Sequence, residues 1–243
     1  MIQETNSHIL LFRRNNLMSK SYDNDTLFKP SERWEPQWDG EVLTIDNFYE
    51  NADEIYQWLT NQDYPLWKYN PESSTRNNID YRDCRLIHKI GHATREYYAN
   101  MERLLDICRK YWWKGRYNWD TVYEFNCFQT INIDDPKVQH YPHIDSALDC
   151  PDSLSVLNML VYLDIEESGG TATYHGEWIT NDENMNLMYP VEERFTLDRV
   201  IEHKFNRCVI FAGNRMHGAY INDYNQYKEN WRFTQVNFFH PQQ

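Results

Sequence analysis

His140-Tyr141-Pro142-His143-Ile144-Asp145 is the stretch on which the reading of this 243-residue chain turns. His143 and Asp145 are one residue apart, and on an extended backbone side chains at i and i+2 point to the same face. An imidazole and a carboxylate side by side can take two neighbouring positions on a metal. One more histidine brought across from another strand would complete a two-histidine, one-carboxylate set, the ligand class of non-heme iron sites. A bare H-x-D among nine histidines is weak by itself, so the weight falls on what surrounds it. His140, three residues ahead of His143, has the wrong parity to share a strand face with Asp145 and reads as a supporting or surface residue.

Working outward, the chain around this stretch is β in character. Residues 122–133 alternate aromatic and β-branched side chains, and 154–163 (LSVLNMLVYL) are almost wholly apolar, as in a buried strand. Gly169-Gly170-Thr171 opens a turn into a short strand. Residues 176–198 are polar and acidic and read as a long loop of the kind that forms lids and binding segments. Further strands are expected at 199–205, 208–212, 217–221 and 231–239. Seven or eight short strands separated by turns imply a sandwich or barrel. Asn158, Leu160 and Tyr162 share one strand face, and Asn126 and Gln129 lie on the first long strand; each is a candidate contact for a bound molecule.

The preceding half is mixed. Residues 41–45 alternate as a strand. Ala52, Ile55, Tyr56 and Leu59 recur at helical spacing within 51–62, and Tyr97, Met101, Leu104, Leu105, Cys108 and Trp112 form one stripe within 92–113. A short strand is expected at 81–88, so His88 and His92 do not make a helical metal pair; Lys89 and Gly91 also argue against one. Residues 1–40 are polar and irregular. The reading is an N-terminal extension over 1–40 and a single domain over 41–243, with helical support at about 41–118 and a β core at about 119–240. The class is mainly β with flanking helices (α+β).

The net charge of −13 disfavours nucleic acid or a membrane surface as the main partner, because phosphate attraction needs a basic surface. The charge is uneven: residues 76–116 carry ten Lys/Arg against five Asp/Glu, and 145–198 carry twelve Asp/Glu and one Arg. The basic segment reads as a solvated helix face, or more sharply as a patch that meets an acidic substrate or partner. The five cysteines (84, 108, 127, 150 and 208) have no regular spacing and read as reduced thiols. Residues 8–12 are too short an apolar run for a leader or a membrane span. A cytoplasmic protein is expected.

Taken in order, the second half reads H-x-D at His143 and Asp145, an apolar strand, Gly169-Gly170-Thr171, the strand Cys208-Val-Ile-Phe-Ala212, the turn Gly213-Asn214-Arg215-Met216, His217, and the strand that begins Trp231-Arg232-Phe233-Thr234. This order resembles the Fe(II)/2-oxoglutarate-dependent dioxygenases and is similar to their prolyl-hydroxylase-like branch, over roughly residues 120–240. The resemblance implies a double-stranded β-helix (jelly-roll, cupin-like) core. It implies His143, Asp145 and His217 as catalytic iron ligands, and Arg232 as the anchor of the far carboxylate of 2-oxoglutarate. A guanidinium fork matches a carboxylate bidentately. Thr234, two residues on and hence on the same strand face, could donate a second hydrogen bond. The basic residue follows His217 by fifteen positions, where the family more often has about ten; Lys228 is the alternative anchor.

The activity so implied uses Fe(II), 2-oxoglutarate and O2, hydroxylates a substrate C–H bond and releases succinate and CO2. Asp145 stands where halogenating relatives have Gly or Ala, which makes hydroxylation the expected outcome. The expected substrate is a small molecule. Two other readings remain: a cupin-like binding protein without turnover, and an oxygenase acting on a protein side chain or a nucleobase. No motif identifies the substrate.

Overall fold

The computed structural model describes residues 27–62, 81–89, 95–119, 122–130, 142–146, 150–166, 169–176, 195–228 and 230–242. Strands β1 (Gln37–Trp38), β2 (Val42–Ile45), β3 (Tyr81–Lys89), β4 (Tyr117–Trp119), β5 (Val122–Thr130), β6 (Leu157–Tyr162), β9 (Cys208–Ala212) and β11 (Arg232–Pro241) build one antiparallel sheet in the order β1-β2-β9-β6-β11-β5-β3, with β4 paired to β11. Strands β7 (Gly170–Gly176), β8 (Phe195–Glu202) and β10 (His217–Tyr220) build a smaller sheet in the order β10-β7-β8. His143 adds to the free edge of β10 by an antiparallel bridge to His217. Followed along the chain from β5, successive segments alternate between the two sheets: β5, then His143, β6, then the β7–β8 hairpin, β9, β10 and β11. The core is a double-stranded β-helix, mainly β with flanking helices.

The period-2 alternation of the large sheet decides what faces what. Leu157, Met159 and Val161 of β6, Cys208 and Ile210 of β9, Phe233 and Phe239 of β11, and Tyr123, Phe125 and Cys127 of β5 all belong to one buried cluster on the outer face. That face is covered by helix α1 (Ala52–Thr60), through Ala52, Ile55 and Leu59, and by helix α2 (Arg95–Cys108), through Tyr97, Met101, Leu104, Leu105 and Cys108. These are the stripes the sequence spacing predicts. The opposite residues of the same strands, Asn158, Leu160 and Tyr162 of β6 and Val209 and Phe211 of β9, face the small sheet. Tyr162, Val209 and Phe211 pack there with Val42 and Ile201, against Leu160.

Three boundaries differ from the sequence reading. The strand expected from 199 begins at Phe195 and pairs with β7 through a bulge between Thr173 and Tyr174. Its first residues, Phe195 to Asp198, are largely exposed on an edge hairpin. Helix α2 spans Arg95–Cys108 rather than reaching 113; beyond it the chain turns, with Arg109 Nε donating to the Gly115 carbonyl at 3.0 Å. Residues 27–38, read as part of an extension, pack against the domain: Leu27 and Phe28 are buried, and Phe28 stacks on Tyr123 with ring centroids 3.8 Å apart. His140, residues 131–133 and 177–194 lie outside the described residues. Among the described residues no helix is long and apolar enough to cross a membrane.

Candidate metal centre

The segment from His143 to Ser146 runs beside the β9–β10 turn. His143 and His217 exchange backbone N–H···O bonds of 2.8 and 2.9 Å, and the Asp145 N–H donates to the Gly213 carbonyl at 2.7 Å. Gly213 in turn donates to the Val156 carbonyl at 2.7 Å, which ties the turn to the entry of β6. Because His143 and Asp145 are two apart, both side chains reach the same side as His217. One ligand atom from each of His143, Asp145 and His217 can be chosen so that all lie within 4.8 Å of one another. His143 Nε2 is 3.9 Å from Asp145 Oδ1, and His217 Nε2 is 3.2 Å from Asp145 Oδ2. The histidine side chains differ in access: 44% of His143 is exposed and 7% of His217, so the group opens on the His143 side.

The surroundings prepare these side chains as ligands. His217 Nδ1 donates to the Arg215 carbonyl at 2.8 Å, which leaves Nε2 with its lone pair toward Asp145 and fixes the tautomer as metal-binding histidines require. The Arg215 guanidinium is held by Glu41 at 2.8 Å and Asp152 at 3.0 Å, so the carbonyl that orients His217 is itself anchored. Burial pushes the Asp145 carboxyl up, but the neighbouring His217 foremost, with His143 and a bond from Asn158, outweighs it. The carboxyl ends below the usual carboxylate range. Nitrogen, oxygen and nitrogen donors converging on one point, two of them neutral and one anionic, fit a divalent transition metal.

Deeper in the cleft, β11 and β6 bring a second polar group together. Thr234 lies opposite Tyr162 in the β11–β6 register. Arg232 is 5% exposed, and its Nη2 donates to the Gly170 carbonyl at 3.1 Å. Its Nε, like the Thr234 hydroxyl, is buried without a hydrogen-bond partner among the described residues, and no salt bridge to Arg232 occurs among them. The nearby Asp164 carboxylate is engaged elsewhere: Oδ1 pairs with His203 Nε2 at 3.0 Å and Oδ2 accepts from Tyr227 at 3.0 Å. Tyr162 donates to the Thr171 hydroxyl at 2.7 Å, and burial pushes its phenol up to about 12 despite that bond and the charge of Arg232. A buried cation and an orphaned hydroxyl on one strand face make a place for a carboxylate. Lys228 lies in the turn before β11, whereas Arg232 is within the strand.

Two residues of this arrangement, Asn158 and Tyr162, were on the strand face whose members the sequence marked as candidate contacts for a bound molecule. Tyr162 lines the Arg232 pocket, and Asn158 touches both Asp145 and His217. Period-2 parity identified the face, yet it could not say which residues of that face meet which partners across the cleft. Asn126 lies across from Thr234 in the β11–β5 register and is half-buried. The backbone of His88 is in β3, as expected, and so not in a helix.

Many solved structures resemble the chain, among them the following three. HygX from Streptomyces hygroscopicus, with nickel, 2-oxoglutarate and hygromycin B bound, is 14% identical over 83% of each chain, with a TM-score of 0.48. A prolyl-4-hydroxylase from Pseudomonas putida is 14% identical over 84% of this chain and 94% of its own, at 0.44. An oxidoreductase of the 2OG-Fe(II) oxygenase family from Burkholderia pseudomallei is 11% identical over 83% and 85%, at 0.42. No family model matches the chain, and no curated protein matches it. The likenesses are of chain path alone at these identities.

Proposed function

We propose that the protein is an Fe(II)- and 2-oxoglutarate-dependent dioxygenase that hydroxylates a C–H bond of a small molecule. The observation that carries this is the pairing of two features in one cleft. Ligand atoms of His143, Asp145 and His217 lie within 4.8 Å of one another, and Arg232 on β11 is buried without a carboxylate partner among the described residues. Bound there, Fe(II) with 2-oxoglutarate and O2 supplies an oxidation that releases succinate and CO2 and leaves a hydroxyl on the substrate carbon.

The chain's own residues bind, orient and shield. His143, Asp145 and His217 would hold the metal through two imidazoles and one carboxylate. Arg232 would pair with the distal carboxylate of 2-oxoglutarate through its fork, and the unpartnered Thr234 hydroxyl would donate to the same end. Leu160, Val209 and Phe211 exclude water from the inner cleft, which strengthens every charge interaction there. Substrate approaches from the His143 side, where the site is open.

The test is succinate formation. Purified protein with Fe(II), ascorbate and 2-oxoglutarate is expected to release succinate slowly even without substrate, and Asp145→Ala is expected to abolish this. No Fe(II)-dependent succinate at any 2-oxoglutarate concentration would favour the non-catalytic reading instead, and full activity in Asp145→Ala would remove Asp145 from the ligand set.

A further inference from the structure

Asn158 is 1% exposed on β6, between two of the proposed ligands. Its Nδ2 is 2.5 Å from Asp145 Oδ2 and 3.1 Å from His217 Nε2, and those two atoms are 3.2 Å apart. A carboxylate can only accept, so the amide nitrogen is the end of Asn158 that must face Asp145 Oδ2. Its carbonyl Oδ1 points the other way, buried and without a hydrogen-bond partner among the described residues. A Cβ at Gly213 would come within 3.1 Å of that oxygen and 3.2 Å of the Asp145 Cβ.

A buried carbonyl left unpaired costs about 1–3 kcal/mol, so stability alone does not account for an amide here. An apolar residue of the same size would pack on this face beside Leu160 and Phe211. What the amide supplies is N–H groups within reach of both Asp145 Oδ2 and His217 Nε2.

We propose that Asn158 is a positioning residue of the metal centre. Its N–H holds Oδ2 of Asp145, so that Asp145 presents one oxygen to a metal and not two. In the metal-free protein the same amide keeps Asp145 and His217 converged. The proposal rests on the reading of His143, Asp145 and His217 as ligands. Groups that orient metal ligands typically change metal affinity 10- to 100-fold when removed.

The experiment uses chelator-stripped full-length protein titrated with Co(II), read by calorimetry and by the d–d absorption of the bound ion. Asn158→Leu keeps the branched side-chain shape without the amide; Asn158→Ala fits the space should the leucine variant fail to fold, and circular dichroism reports folding. The expected result is Co(II) binding about 10- to 100-fold weaker than wild type, with a d–d spectrum altered by two-oxygen ligation from Asp145. Binding within threefold of wild type and an unchanged spectrum, while Asp145→Ala loses Co(II), overturns the role of Asn158 and leaves the ligand set standing. Wild-type protein that takes up no Co(II) overturns the ligand set itself, and this proposal with it.

Discussion

Replacing Arg232 by Met should weaken 2-oxoglutarate binding steeply while leaving the cosubstrate-free protein at least as stable. The guanidinium is 5% exposed, makes one bond to the Gly170 carbonyl, and has a buried Nε with no partner among the described residues. Truncating one member of a buried, hydrogen-bonded charge pair costs about 2–5 kcal/mol of binding. At about 1.4 kcal/mol per factor of ten, that is a loss of about 30- to 4,000-fold in apparent 2-oxoglutarate affinity. The same burial carries a desolvation cost in the free protein, which Met, similar in length and apolar, removes. The melting temperature without cosubstrate should therefore hold or rise. Arg232→Lys keeps the charge but loses the fork and should fall between the two. The assay is succinate release against 2-oxoglutarate concentration, paired with thermal unfolding with and without 2-oxoglutarate and Mn(II). A 2-oxoglutarate KM within threefold of wild type in Arg232→Met would refute the assignment and turn attention to Lys228.

Two further perturbations probe the frame around the site. Gly170 has φ +139°, and a Cβ there would meet the Ile201 carbonyl oxygen at 2.0 Å, whereas Gly40 has φ +106° and open space around it. Gly170→Ala should cost at least the about 1–3 kcal/mol of a strained backbone, or about 2–12 °C in melting temperature for a domain of this size. Gly40→Ala should cost less, and equal losses would show that the contact with Ile201 does not matter. Asp46 is bonded by Arg207 at 2.6 Å and Lys204 at 2.8 Å. The Arg207 bond foremost, against some burial, holds its carboxyl below the ordinary value. A depressed carboxylate contributes stability that is complete above its unfolded value, about 3.9, and is lost as pH falls through the folded value. The melting temperature of Asp46→Asn should therefore lie below wild type at neutral pH, and the gap should close as pH drops below about 4. A gap that stays constant down to acid conditions would mean that the ion pair contributes nothing.

Much of the architecture was legible in local periodicity. The apolar stripes of α1 and α2 and the alternation of β5, β6 and β11 follow from side-chain direction, which the backbone period sets without help from the rest of the fold. The same parity put His143 beside Asp145 and Arg232 beside Thr234. It failed where the environment, and not the period, chose the residues. The start of β8 looked like loop because an edge hairpin is wet on one side, and Leu27 and Phe28 looked like extension because nothing local marks a short segment that packs onto a distant helix and strand.

What the sequence by itself determined about this protein is which residues share a face, and hence a short roster of metal- and carboxylate-binding side chains. Only the tertiary structure decided that they meet. His143 reaches His217 because the chain crosses between two sheets and returns along the edge of β10. Arg232 has no carboxylate partner among the described residues because His203 and Tyr227 occupy Asp164. Asn158 proved to lie between Asp145 and His217. These outcomes depend on contacts between strands far apart in sequence, where registers and neighbours are set by the packing of the whole sheet pair and leave no trace in the spacing of any single segment.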